Sequence, residues 1–374
     1  MDFQLSEDQR VFADTSDALF ADYCSDDQLR AHDQSGQPFM QDLWKQCLAS
    51  GLHAMLVPEM QGGLGLGFTE LMAVLEAQGR ALALVPLWEH QLAASVLARF
   101  GQGEQASRWV AKAVTGEAML TLSLAAASAS RGAGLRAEPV AEGWRVTGLA
   151  PAVPLGAQSD VALLLAQVDG ALCPVLLPTA ELRRVEALSQ HHLGLADLHA
   201  DGLVLPREAV LPPQALAWAE PRAIAALAAL QLGVTTQQLE QTVAYVSERQ
   251  QFGRVIGSFQ LVAGQMADGH IAVEALRSSL WQLAYRIDAG LGAQPQALAL
   301  RAMACDTAHR AGHMAQHVHG GMGVDITYPI HRFLYWSRAL GHVQGGTEAH
   351  LARLGDWLAD NDNLGWKYDL PEDL

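Results

Sequence analysis

Lysine is nearly absent from this sequence, occurring only at Lys45, Lys112 and Lys367. Charged residues of every kind make up 17% of the 374 residues, and the formal net charge is −16. Nucleic-acid binders neutralise phosphates with clustered Lys and Arg, so that class is excluded. Cysteine is sparse too: Cys24, Cys47, Cys173 and Cys305 stand far apart, without the spacing of a zinc or redox motif. Reduced thiols in packing are expected. Long apolar runs are also lacking, because Glu89, Arg99 and Gln231 interrupt the most hydrophobic stretches before membrane-spanning length. No basic-then-apolar leader pattern is visible in "MDFQLSEDQR". The expectation is a soluble, cytoplasmic protein with no membrane insertion.

Apolar residues are plentiful, at half of the chain, so a sizeable core is available. Three zones follow from periodicity. Residues 1–113 read as a helical domain: Ser6 and Gln9 form a capping-box pattern, and "FMQDLWKQCLASGL" and "FTELMAVLEAQGRALA" repeat apolar residues every three or four positions. The glycine-rich "VPEMQGGLGLG" lies between them. Residues 114–215 carry short β-rich runs such as "DVALLLAQV" and "ALCPVLLP". Residues 216–374 return to long amphipathic helices, expected near 222–250, 260–288 and 296–318, as in a bundle. The predicted fold is α+β and multidomain: an N-terminal helical domain, a middle β-barrel or sandwich, and a C-terminal four-helix bundle.

Two C-terminal stretches carry chemistry. In "SERQQFGRVIGSFQLV", Arg249, Phe252, Gly253 and Gln260 offer a cation, an aromatic face, a bend and an amide. That set suits a pyrophosphate and a purine edge; the plainer reading is a helix C-terminus capped by Gly253. In "QHVHGGMG", Gly320, Gly321 and Gly323 expose backbone amides able to cradle phosphate. His313, His317 and His319 lack a third ligand at natural spacing, so no metal is expected.

Taken in order, "RQQFGRVIGSFQ", "QHVHGGMG" and "GGTEAH" resemble the C-terminal half of the acyl-CoA dehydrogenase family. "DFQLSEDQR", "VPEMQGGLGLG" and "LGLADLHADGLVLPREAVL" resemble its earlier segments, so the likeness spans nearly the whole chain. It implies FAD as cofactor and α,β-dehydrogenation of an acyl-CoA thioester, with a glutamate taking the α-proton while the β-hydrogen leaves as hydride. It further implies an electron acceptor such as an electron-transfer flavoprotein. By the same resemblance, Arg249, Gln251, Phe252 and Gln260 contact FAD across a subunit interface. Gln316, Gly320 and Gly321 approach its ADP portion, and Thr347 touches the cofactor.

Departures from the family pattern are as informative. The usual base is the glutamate of a Glu-Gly-Thr turn, and that position here is Gly345. An alternative base position in some members falls near Ala223. The middle-domain flavin motif is replaced by "TLSLAAASASRGAG", with Thr121 and Ser123 as remnants, and Gly148-Leu149-Ala150 stands where Gly-x-Lys is usual. Three readings follow. The favoured one is the partner subunit of a heteromeric, heterotetrameric dehydrogenase, lending FAD contacts to a homologous catalytic subunit; bulky acyl groups such as steroid side chains fit that class by resemblance. The second is a homomeric enzyme with a relocated base at Glu348, His350 or Glu220, the last expected at a helix start before Pro221. The third is a binding or structural relative.

Overall fold

The computed structural model describes residues 4–130 and 132–361. Arg131 of the altered middle segment, Lys367 and the end of the expected 216–374 domain lie outside them. The helical, β and helical order is present. Six helices come first: α1 (Glu7–Tyr23), α2 (Asp26–Ser35), α3 (Gln41–Ala49), α4 (Phe68–Ala81), α5 (Leu87–Phe100) and α6 (Gly103–Val114). Seven strands follow: β1 (Leu120–Ser123), β2 (Leu135–Val140), β3 (Gly143–Pro154), β4 (Val161–Val168), β5 (Ala171–Pro178), β6 (Arg183–Leu188) and β7 (Gly194–Leu205). Then come α7 (Pro213–Glu248), a two-residue hairpin β8 (Gln250–Gln251) and β9 (Arg254–Val255), α8 (Gln260–Asp288), α9 (Gln294–His319), α10 (Ile330–His342) and α11 (Thr347–Asp360).

The capping box forms as its pattern requires. Gln9 N donates to Ser6 Oγ at 3.2 Å, and Ser6 N to Gln9 Oε1 at 2.9 Å. Ser25 and Gln28 repeat the arrangement at the start of α2.

Backbone contacts divide the chain into two units, and these cut across the three zones. The first takes in the described parts of Met1–Ala31, Met72–Ala83 and Ile224–Asp369; the second, His32–Leu71 and Leu84–Ala223. Within the first, α4 crosses α7 at two glycines. A Cβ on Gly79 would lie 2.1 Å from Leu230 O, and one on Gly233 2.0 Å from Glu76 O. Only hydrogen fits at such a crossing. Arg277 on α8 then reaches Glu76 at 2.6 Å, and Arg80 reaches Glu240 at 2.8 Å, bracing the crossing with charge-assisted bonds.

The second unit holds one seven-stranded sheet in which β1 and β2 pair with successive parts of β4, β5 pairs with β4, and β3, β7 and β6 continue from β2. The apolar run of β4 is buried along nearly its whole length, which explains its lack of alternation. Alternate residues of the neighbouring strands, such as Val146, Val175, Ala196 and Leu198, build the core.

Helix α5 is buried from Leu87 through Leu97, including Glu89, His90, Gln91 and Ser95. Two of its polar side chains satisfy neighbouring backbone. Gln91 Oε1 accepts from Met55 N at 2.9 Å, and His90 Nδ1 accepts from Leu120 N at 3.1 Å. Burial, reinforced by the nearby His53 ring, pushes the His90 pKa down to about 3. Its contribution to stability is therefore present above pH 6.5 and is lost as pH falls toward 3.

Two expectations change. Pro221 was expected at a helix start, with Glu220 before it; instead α7 begins at Pro213, and Pro221 lies inside the helix. Pro213 already takes the first-turn position that proline favours, so Glu220 is a buried interior residue, 5% exposed. Nor does Gly253 cap α7. The helix ends at Glu248 and the chain turns into the β8–β9 hairpin, because Gln250 and Gln251 find strand partners in Val255 and Arg254.

Burial lifts the Glu89 carboxyl from 4.5 to about 8. The folded state thus holds this proton more tightly than the unfolded state, so stability falls as pH rises from 4.5 toward 8. Each unit of pKa separation is equivalent to about 1.4 kcal/mol. Replacing Glu89 with Gln should flatten this slope by a few kcal/mol across that range, read by urea unfolding from pH 5 to 8.

Candidate functional site

The first unit gathers three segments that the sequence singled out. The first is the hairpin after α7. Phe252 (φ 55) and Gly253 (φ 79) are both left-handed, as a two-residue hairpin loop with primed-turn geometry demands. Asn or Gly usually fills the first of these positions, and a phenylalanine there carries strain of about 1–2 kcal/mol. Its ring is 92% exposed. The Phe259 ring lies edge-on to Phe252 at 6.2 Å, while the Arg254 guanidinium sits 3.9 Å over Phe259. Arg249 and Gln260 are exposed and form no ion pair or side-chain hydrogen bond among the described residues. Gln251 Nε2 donates to Gln250 O.

The second segment is the end of α9. Gly320 has φ 58 and ψ −129, a conformation that essentially only glycine adopts. Neither Gly320 nor Gly321 has any heavy atom within 4 Å of where a Cβ would stand, so both leave open space on an exposed edge, while the Gly320 N–H donates back to Gln316 O and His317 O. Gln316 is half-buried, with its Nε2 inside and its side-chain oxygen against Gly323. His317, one position along, is the exposed neighbour. His319 packs inward, stacked at 4.2 Å on Tyr245, and its Nδ1 donates to Ala315 O at 2.8 Å. Among the described residues, no group of three or more His, Cys, Asp and Glu side chains converges as a metal site.

The third segment is the turn between α10 and α11. Gln344 (φ 59) and Gly345 (φ 83) are both left-handed, and Gly346 precedes the first turn of α11. Thr347 Oγ1 donates to Ala302 O at 3.4 Å. Glu348 is exposed in the first turn of α11, where the helix dipole favours an acid. His350 is fully buried, and its Nδ1 donates to Gly346 O at 3.1 Å.

The structure does not gather the remaining candidates with these. Glu220 belongs to the second unit, close in sequence to Trp218 and Arg222, where the Arg222 guanidinium lies 3.9 Å over the Trp218 ring. Thr121 is buried in the sheet, and its hydroxyl donates to Pro154 O at 2.6 Å. Gly148 pairs so closely with Gly134 that a Cβ would lie 2.0 Å from Gly134 O. Two groups escaped the sequence reading. One is Gln344, 3% exposed, with neither amide atom partnered. The other is Arg301 on α9, fully buried against the same turn. A hairpin signal was available in "QQFGRV", where a glycine closes a two-residue loop between potential strand partners.

Comparison with known proteins decides the family. Residues 6–117 match the acyl-CoA dehydrogenase N-terminal domain, and residues 223–359 match the acyl-CoA dehydrogenase C-terminal domain. The chain belongs to the acyl-CoA dehydrogenase family. It is 33% identical to acyl-CoA dehydrogenase FadE27 of Mycobacterium tuberculosis, over 96% of this chain and 99% of that protein. Among solved structures, the ChsE4-ChsE5 complex from Mycobacterium tuberculosis aligns with TM-score 0.91 and 31% identity, covering 97% of this chain and all of that one. A Tcur3481-Tcur3483 steroid ACAD variant aligns with TM-score 0.88 and 34% identity, covering 95% of this chain and 98% of that one. A more distant relative of the same fold, PigA, was solved with FAD (21% identity, TM-score 0.86, 96% of this chain and 99% of that one). No described helix is long and apolar enough to cross a membrane.

Strain at the hairpin tip should be measurable. Replacing Phe252 with Gly is expected to stabilise the isolated chain by about 1 kcal/mol, since glycine adopts the left-handed conformation without penalty. Denaturant unfolding of the two proteins side by side tests it.

Proposed function

We propose that this chain is the partner subunit of a heteromeric acyl-CoA dehydrogenase. In this reading it completes the FAD site of a homologous catalytic subunit and does not itself abstract the substrate proton. The observation that carries the reading is an asymmetry. At the position that the family resemblance gives to the base stands Gly345, without a side chain, while Arg249 and Gln260 present exposed side chains with no ion pair or side-chain hydrogen bond among the described residues, and Phe252, Gly320 and Gly321 are exposed beside them in the sequence. Support comes from the solved relatives, one named as a two-component complex and another as a steroid dehydrogenase. A thioester of a bulky, steroid-derived acyl chain is accordingly the proposed substrate class of the complex.

The residues present fit an FAD whose ADP end this chain holds. The Arg249 guanidinium is suited to a pyrophosphate, and the exposed Phe252 ring to a flat heterocycle. The open space where Gly320 and Gly321 lack a Cβ permits close approach of phosphate oxygens. Gln251, Gln260 and Gln316 supply amides, and Thr347 keeps a hydroxyl beside the turn. Bound FAD supplies the hydride acceptor for the substrate Cβ–H. The α-proton needs a base at contact distance. Glu348 is solvent-exposed and Glu220 and His350 are buried in packing, so the base is assigned to the partner chain. The lending contacts all fall in the expected 216–374 domain, with an electron-transfer flavoprotein as the proposed acceptor.

The test is co-purification. The chain alone is expected to be colourless, and the chain with a homologous dehydrogenase subunit to be yellow, at equal subunit ratio, and bleached by acyl-CoA. A yellow homomer bleached by acyl-CoA would overturn the proposal. Within the complex, Arg249→Ala should reduce FAD affinity about 10- to 100-fold, the size expected for losing charge-assisted hydrogen bonds; unchanged flavin content after gel filtration would remove the cross-subunit role.

A further inference from the structure

Beneath the α10–α11 turn lies a charge that the proposed function does not use. Arg301 is wholly buried, and its Nη2 donates to Leu340 O at 2.6 Å and Val343 O at 2.5 Å. These are a last-turn carbonyl of α10 and the carbonyl of the residue that ends it. Its Nε and Nη1 have no hydrogen-bond partner among the described residues. Among the described residues no carboxylate lies within ion-pair distance of the guanidinium; the negative end of the α10 dipole is what it meets. A charge buried this way is costly, and its two carbonyl bonds offset only part of that cost.

Neighbouring residues of α9 grip the same turn. Ala302 O accepts from Thr347 Oγ1 at 3.4 Å, and Cys305 Sγ approaches Gly341 O at 3.6 Å. Three residues of α9, Arg301, Ala302 and Cys305, therefore bind the segment from Leu340 to Thr347 at both ends. Between those ends the backbone is left-handed at Gln344 and Gly345, a conformation that Gln344 does not favour unaided. Gln344 contributes no amide hydrogen bond of its own to hold it. The support comes from α9.

We propose that Arg301 is a positioning residue: by fixing the two carbonyls that end α10, it sets the left-handed turn and thereby the placement of Gly345, Gly346 and Thr347 toward the cofactor. The link to FAD rests on the proposed function above, whereas the link to the turn does not. Arginine suits the role because one planar nitrogen directs two hydrogens to two carbonyls at once. Lysine, with three rotatable donors, preserves part of the bonding, and methionine none.

The experiment uses the full chain and, where it forms, the co-purified complex. Amide hydrogen exchange is measured for wild type, Arg301→Met and Arg301→Lys. In Arg301→Met, exchange across 343–349 is expected to rise at least tenfold while the α8 and α9 cores stay protected, and Arg301→Lys should recover more than half of that protection. Unchanged exchange at 343–349, or an equal rise throughout the bundle, would overturn the proposal. In the complex, FAD dissociation is then compared for Thr347→Ala, Arg301→Met and the double variant. The Thr347→Ala effect should shrink to less than twofold in the Arg301→Met background, and additive effects would overturn the transmission to FAD. If Arg249→Ala leaves FAD retention unchanged while exchange at 343–349 still rises, the partner-subunit reading fails and the positioning of the turn stands.

Discussion

The crossing of α4 and α7, where Gly79 and Gly233 face each other's backbone, governs much of the first unit. With no Cβ on either side, main-chain carbonyls of one helix meet the other directly, and the side chains that flank the contact are brought into ion-pair range. Arg277–Glu76 and Arg80–Glu240 are consequences of that closeness. Any side chain at either glycine would push the helices apart and break those pairs, which packed interiors do not absorb smoothly. Because α7 is one continuous helix, fixing it at Gly233 also fixes where Glu248 ends and where the Phe252 hairpin is presented.

The bundle unit and the sheet unit use their polar residues differently. In the sheet unit, His90, Gln91 and Thr121 are turned inward and bonded to backbone. They hold α5, the segment from Met55 and the first strand together. In the bundle unit, Arg249 and Gln260 instead stand at the surface with no side-chain partner among the described residues. A surface guanidinium and an exposed aromatic ring are what a docking ligand or neighbouring chain meets first.

Helix and strand identities were legible in the sequence because burial in this chain follows simple periods. The start of α8 at Gln260 could be read from its pattern, and β4 from its unbroken apolar run. Less legible was anything depending on a competing partner. The Ser6–Gln9 box could be read from four residues, whereas Pro221 misled because Pro213 had already taken the favoured first-turn position. The hairpin at Phe252 was hidden by a glycine that also suits a helix cap. Of the candidate site, residue types were visible, including the missing acid at Gly345. Gln344 and Arg301 were not, since burial and backbone handedness arise from packing between α9, α10 and α11 that no local pattern encodes.

The left-handed pair at Gln344 and Gly345 also bears on how such a chain changes over generations. A glutamate returned to position 345 by a single substitution would place a Cβ on a backbone with φ 83, where a side chain is disfavoured. A side chain there would be free of strain only if the backbone left that conformation, and Arg301 on α9 bonds the carbonyls of Leu340 and Val343 just before it. The absence is thus conformationally entrenched. A lineage carrying this turn is steered away from any side chain at position 345 for as long as the turn is kept.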